Sequence, residues 1–530
     1  MGRSRLLVLL CFLVLLALGA ALHRDYGLAF DEPRQREIGA VTAAYLIDLV
    51  APSLMPPAMG DLPRLHGYQD RDYGVAFEMP AVVLERLLGL EDTRDIFMFR
   101  HLLTYAFCLG GAWALYSLAL RRFGDRRLAL LAVAFLVLSP RLFAESFFNS
   151  KDAVFMAAFA IALNTMIAFV LRPRPGSALL HALATAFAMD VRVAAIMLPA
   201  ATVAIFVVRA LKREVPVRRA LPLVAFYLAA TAVLVVALWP WLWADPLGNF
   251  GHALDAIRNF RFDQEILYRG ALIRTTQLPW NYLSIWISLT TPPLYLLLLA
   301  AGAAATLWRF ARGGLRLWRD EAELQDMVFL TLLVAPLAAV VLLGSIVYDG
   351  WRQLYFVYPA LLLVALRGWV VLWSGAVAAR VRRPALALAT ALSFVVTAAW
   401  MVRAHPLQNV YLNAFAGGNH IGQFELDYWG LGMRSGLEHL LAHDPAERIE
   451  VVAANFMALP KSFLILTSQQ RLRLHEATDE TIPHYAFTNY PDTRDPHKNV
   501  AYGPNYDLFH EVTVDGEVIL RIFKSKPRVR

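Results

Sequence analysis

The sequence is poor in charge and in cysteine, and each shortage narrows what it can be. Only 17% of its 530 residues are charged, against 58% hydrophobic, and the mean hydropathy is +0.49. A soluble chain carries about a quarter charged residues. The two cysteines, Cys11 and Cys108, both sit in apolar runs, which excludes a disulfide framework and a CxxC metal site. There is no Walker loop, and Gly430, Gly432 and Gly436 have the wrong spacing for a dinucleotide fingerprint. His439 and His443 stand i, i+4 without the intervening glutamate of a zinc protease. Tandem repeats, low-complexity tracts and the paired broken helices of a secondary transporter are missing too. So are the alternating ten-residue segments of a membrane barrel.

What is abundant is long apolar runs. A hydrocarbon core about 30 Å thick needs about 20 apolar residues per helix, and backbone in lipid must satisfy its own hydrogen bonds. Eleven candidate spans fall at roughly 6–22, 96–120, 128–140, 153–171, 178–189, 193–208, 220–240, 283–307, 327–347, 354–372 and 385–401, the third and fifth being short. The expected fold is an all-α polytopic membrane protein over residues 1–401, with outer segments at 23–95 and 241–282. Residues 402–530 follow, with a small mixed α/β domain. There, 448–453 reads as a strand, and 512–520 reads as a hairpin turning at Asp515-Gly516.

The net charge of +8 would suit nucleic acid, but the basic residues lie in short loops between spans. The loops of one side hold Arg3, Arg5, Arg121, Arg122, Arg126, Arg127, Arg172, Arg174, Arg209, Lys212, Arg213, Arg218, Arg219, Arg309, Arg312, Arg316, Arg319, Arg380, Arg382 and Arg383, 20 in all. The other side holds 8: Arg141, Lys151, Arg192, Arg352, Arg258, Arg261, Arg269 and Arg274. The positive-inside rule places the first set in the cytoplasm. The N-terminus is then inside, the tail is outside, and nucleic acid is not the partner. Residues 6–22 have the flanks of a signal peptide, but the run is long for one, so a retained span is expected.

The polar residues that could do chemistry lie on the arginine-poor side. Phe30-Asp31-Glu32-Pro33 puts two carboxylates just beyond the first span, where an acid could take a proton from an acceptor. The plainer account is a helix start, since acids before Pro33 suit the macrodipole. Ser139 to Asp152 reads as a short outer loop carrying Arg141, Glu145, Asn149, Lys151 and Asp152. Its cations could bind a phosphate, or Lys151 could simply pair with Asp152 or Glu145 at a membrane rim. Asp190 and Arg192, in the hinge between the fifth and sixth spans, need partners and could pair with each other. Arg352, in Tyr348-Asp349-Gly350-Trp351-Arg352-Gln353, faces outward and could grip a lipid phosphate, or could belong to a plain turn with an anchoring Trp. The His405–Gly430 run, with Gly417-Gly418 and Asp427-Tyr428-Trp429-Gly430, reads as an ordered loop packed on the membrane face. Trp239, Trp241 and Trp243 read as interface anchors.

In this order, these pieces resemble the family 39 type of membrane glycosyltransferase. They are an outer Asp-Glu pair, a Ser-Pro-Arg…Ser-Phe-Phe-Asn-x-Lys-Asp run and a final His-Pro…Asn…Gly-Gly…Asp-Tyr-Trp-Gly run. The family includes protein O-mannosyltransferases and the aminoarabinose transferase of lipid A, and has the GT-C architecture. The resemblance covers about residues 20–430. It implies an inverting transfer of a sugar from a polyprenyl-phosphate donor at the periplasmic face of a bacterial inner membrane. It implies Asp31 as base, with Glu32 helping to place the acceptor. It also implies Arg141, Lys151, Arg192 and Arg352 on the lipid phosphate, with Asn149 and Asp152 orienting Lys151 or meeting the sugar. The tail departs from the β-trefoil of the eukaryotic mannosyltransferases, so the acceptor (glycan, lipid or protein) stays open. No cofactor or divalent metal is expected. Two rivals make different demands. A flippase of lipid-linked sugars would need polar residues near mid-membrane, and a non-catalytic assembly factor would bind a partner through its tail.

Overall fold

The computed structural model describes residues 3–258, 263–314, 316–375, 378–418, 422–454, 458–478, 483–489 and 505–526; Arg261, counted above, lies outside them. Among the described residues nine helices are long and apolar enough to cross a membrane, from Ser4–Leu22 to Ala379–Ala404. Each coincides with an expected span. The fifth expected span is the Pro175–Val191 helix, at 17 residues just under membrane length. The chain is thus a polytopic helical protein, and a small mixed sheet closes its C-terminal part.

Two spans differ from expectation. The third, expected at 128–140, stops at Val137. It is followed by a second helix, Pro140–Phe148, bent 74° from the first. Pro140 lacks the N–H that would continue the ladder and instead starts a new helix at its first turn. The Ser139–Asp152 run is therefore mostly a helix, and all nine residues of Pro140–Phe148 are buried. The eighth span, expected at 283–307, is broken at Thr291-Pro292 into Tyr282–Thr290 and Pro293–Arg312.

Small residues set the closest packing. Pro293–Arg312 lies against Tyr358–Ser374 with Gly302 and Gly368 face to face, where an added Cβ would strike the backbone carbonyls of Val364 and Leu298. Outside the spans, Glu32–Val50 packs on Glu78–Leu87. A buried ionic cluster ties that pair to the bundle: Arg100 binds Glu78 and Glu85, and Arg36 binds Glu85 at 2.8 Å. Trp239 and Trp241 belong to the core; only Trp243 is exposed, so two of the three expected anchors are packing residues.

The C-terminal sheet has five strands. Ile449–Ala453 pairs parallel with Leu474–Glu476 and with Tyr485–Thr488, and Glu517–Ser525 pairs antiparallel with Tyr485–Thr488 and Tyr506–Val514. The expected hairpin is there. Asp515 and Gly516, both at positive φ, make its turn, the backbone that Asp-Gly favours. The tail is pinned to the membrane part. Arg471 binds Asp92 at 2.9 Å, and Arg434 Nη1 donates to the carbonyls of Arg24 and Tyr26 at 2.7 and 2.8 Å.

Candidate active site

Arg352 is where the site converges. Its guanidinium is buried and binds three carboxylates from three separate parts of the chain. These are Asp31 Oδ2 at 3.2 Å, Asp152 Oδ2 at 3.1 Å and Asp349 Oδ2 at 3.0 Å. Aromatic rings close both sides, Tyr348 at 4.9 Å and Trp429 at 4.7 Å. Asp152 is fully buried and also binds Arg192. Asp31 is the most open of the three acids, its side chain 31% exposed. Its Oδ1 meets no hydrogen-bond donor among the described residues.

Local sequence explains each placement. Asp31 is the N-cap of Glu32–Val50, yet its side chain makes no capping bond. The expected helix start is real, but the carboxylate is spent on Arg352, 321 residues away. Glu32 points into the protein. It accepts from Ala29 N at 2.8 Å and meets His101 Nε2 at 3.0 Å. It is thus held by the fold beside Asp31 and anchors the turn. Asn149 Oδ1 accepts from Asp152 N at 2.7 Å, an Asx turn that opens the Asp152–Leu171 helix. Ser150 Oγ donates to Glu78 at 2.6 Å, so the ionic cluster also steadies this corner.

The remaining cations surround the acids. Arg141 is wedged between the Trp286 and Tyr428 rings, at 5.6 and 5.8 Å, and donates to the Tyr428 hydroxyl at 3.3 Å. Lys151 pairs with neither Asp152 nor Glu145; its ammonium sits 3.8 Å from the Tyr73 ring centre. Nor do Asp190 and Arg192 pair with each other. Asp190 accepts from Ala76 N at 2.6 Å, which leaves Arg192 to Asp152. Arg141, Arg192 and Arg352 each keep a buried Nε–H with no acceptor among the described residues. The indole N–H groups of Trp286 and Trp429 are unmatched as well. Leaving buried donors unpaired costs about 1–3 kcal/mol each, so these groups carry donor capacity that the described residues leave unmet.

Several residues here were not assigned from sequence. Asp349 and Tyr348 stood in a quoted run from which only Arg352 was chosen, although an acid three residues from an arginine on a tight turn is a pairing signal. Tyr428 and Trp429 were read as packing, yet they contact Arg141 and Arg352. Lys461 comes from the tail helix Ala458–Ser462 and carries no motif. Its Nζ lies 3.4 Å from the Phe30 ring centre and donates to Phe30 O at 3.2 Å. Burial pushes its pKa down, with Asp31 pulling it back up. The His439 ring stacks on His443 and on His510, with ring centres 3.9 and 3.5 Å apart, and among the described residues no three His, Cys, Asp or Glu side chains are grouped to hold a metal ion.

Two acids near the site titrate unusually. Burial raises Asp349 to about 6, opposed by Arg352. Burial and nearby Asp349 raise Glu425 to about 8; Glu425 accepts from Leu267 N at 3.2 Å. A carboxyl raised in the fold leaves full stability below its unfolded pKa, and that stability is lost as pH climbs through the folded value. For Glu425 the window runs from about 4.5 to about 8, at no more than about 1.4 kcal/mol per pH unit. The melting temperature of purified protein should therefore fall between pH 6 and pH 8.5, and Glu425→Gln should flatten most of that fall, the gap between the two proteins widening as pH rises. Parallel pH curves for the two proteins would refute this.

Residues 98–243 match the family described as dolichyl-phosphate-mannose-protein mannosyltransferase. The matched stretch holds Arg141, Asn149, Lys151, Asp152 and Arg192. The match bears out the resemblance to membrane glycosyltransferases of the GT-C class. Among solved structures the chain is similar to ArnT from Cupriavidus metallidurans bound to undecaprenyl phosphate, at 16% identity over 98% of each chain with a TM-score of 0.49. It is also similar to the arabinofuranosyltransferase AftD from Mycobacteria (14% identity, 97% of this chain, 41% of that one, TM-score 0.47). A third is the Archaeoglobus fulgidus oligosaccharyltransferase (11%, 95%, 72%, TM-score 0.42). No curated protein sequence matches.

Proposed function

We propose that this protein moves a sugar from a polyprenyl-phosphate donor to a glycan, lipid or protein acceptor. Transfer takes place at the membrane face opposite the arginine-rich loops, the periplasmic face of a bacterial inner membrane. The observation that carries the reading is the set of N–H groups on Arg141, Arg192 and Arg352 that the described residues leave unmatched, beside Asp31, whose Oδ1 meets no donor among them. A phosphate supplies the oxygens those donors lack, and charge-assisted bonds of this kind are the strong ones.

The chemistry then divides cleanly. Asp31 Oδ1 takes the proton of the acceptor O–H or N–H as that atom attacks the anomeric carbon. The bond from that carbon to the phosphate oxygen breaks, and its electron pair leaves with the polyprenyl phosphate. A single displacement inverts the anomeric configuration. The arginines and Lys151 hold the growing charge on the leaving phosphate. Asp152 fixes Arg192 and Arg352, Asn149 fixes the helix start that carries Asp152, and Glu32 fixes the turn that carries Asp31. Lys461 flanks the acid from the tail.

Mass spectrometry of membrane lipids and envelope glycans, with and without the gene, tests the reading. Loss should leave an unspent polyprenyl-phosphate sugar and remove a sugar from one acceptor; unchanged profiles would reject it. Lys461→Met should slow transfer about tenfold, the worth of one charge-assisted bond, while Lys461→Arg keeps most of the rate. Equal rates for Lys461→Met and wild type in membrane assays would remove Lys461 from the site.

A further inference from the structure

At the opposite end of the bundle lies a groove that the transfer reaction does not use. It runs between the Arg3–Leu22 and Thr93–Phe123 helices, and the cavity measures about 640 Å³, a size typical of a small-molecule site. Its wall is aromatic. Phe12 meets Trp113 edge-on at 5.0 Å, and Trp113 stacks on Tyr116 at 5.3 Å. Trp113 is 50% exposed, a large ring turned toward lipid. The mouth is basic, formed by Arg5, Arg121 and Arg126, and no acidic residue lines the groove. Arg126 donates to Ser4 Oγ at 3.1 Å, and none of the three forms an ion pair among the described residues. Neighbouring Arg122, by contrast, is taken up by Asp326.

We infer that this groove binds one anionic glycerophospholipid of the arginine-side leaflet, with its phosphate on Arg5, Arg121 and Arg126 and an acyl chain along the aromatic wall. Charge complementarity selects the occupant. Three unpaired guanidiniums above an apolar channel suit a phosphodiester with a hydrocarbon tail, and basic pockets between membrane helices hold anionic headgroups. The spent polyprenyl carrier is the less fitting occupant. Arg5 sits near one end of a 20-residue helix and Asp31 lies beyond the other, a separation of about 30 Å that spans the bilayer.

Native mass spectrometry of the full-length protein decides it. Palmitoyl-oleoyl phosphatidylglycerol and palmitoyl-oleoyl phosphatidylethanolamine would be offered at equal amounts. Wild type should retain the anionic lipid about tenfold better, each arginine near the surface adding to the preference. Arg5→Gln, Arg121→Gln and Arg126→Gln together should erase the preference, while Arg218→Gln, Arg219→Gln and Arg380→Gln together leave it. If the first triple variant does not fold, a photoactivatable phosphatidylglycerol on wild type should crosslink within residues 4–22 and 113–126. Equal retention of the two lipids, a preference that survives the first triple variant, competition by inorganic phosphate alone, or crosslinks elsewhere would each overturn the assignment.

Discussion

Asp31→Asn should lower sugar transfer by about 10²–10⁴-fold while leaving expression and melting temperature near wild type. The activity loss follows from the proton. A base positioned on the acceptor contributes about that factor, and an amide in the same place cannot take a proton. The small structural effect follows from the site's construction. The Asp31 side chain is 31% exposed, and Arg352 keeps Asp152 and Asp349 when Asp31 is neutralised. Glu32→Gln separates the neighbours: it weakens a buried contact to His101 and should cost stability more than rate. Initial rates and thermal melts of both variants, measured in the same membranes, check the contrast. Full activity in Asp31→Asn would end its role as base.

The parts of this protein that were legible in its sequence are those where one residue's environment repeats along the chain. Apolar runs gave the spans, and Asp515-Gly516 gave the hairpin. The third span was misread because a hydrophobic run says how much apolar surface is present but not where the axis turns. Ser139-Pro140 marked that turn and was taken for a loop. The candidate site was legible as a set of residue types but not as a set of partners. Asp31, Asp152 and Arg352 were all in view. That one guanidinium joins them, and adds Asp349, depends on helix ends hundreds of residues apart meeting at one level. Lys461 shows the limit most plainly: a short helix in a tail with no motif delivers it, and only the tertiary fold brings it to Phe30.

Arg352 gives the other large expected effect, of a different kind. Arg352→Met should destabilise the protein by about 3–5 kcal/mol and abolish transfer, because it strands charges that the fold has buried around it. Asp152 would retain only Arg192, and Asp349 would lose the partner that opposes the rise of its pKa. Arg352→Lys should recover part of the stability but little of the rate. One ammonium cannot reach Asp31, Asp152 and Asp349 from the positions that two guanidinium nitrogens occupy. The two losses can be pulled apart. Adding Asp349→Asn to Arg352→Met removes a stranded charge, so the melting temperature should rise again while transfer stays absent. A residue that served only to hold the fold would give back activity along with stability. Recovery of transfer in the double variant would therefore reduce Arg352 to scaffolding, and continued absence at restored stability would leave it on the donor phosphate.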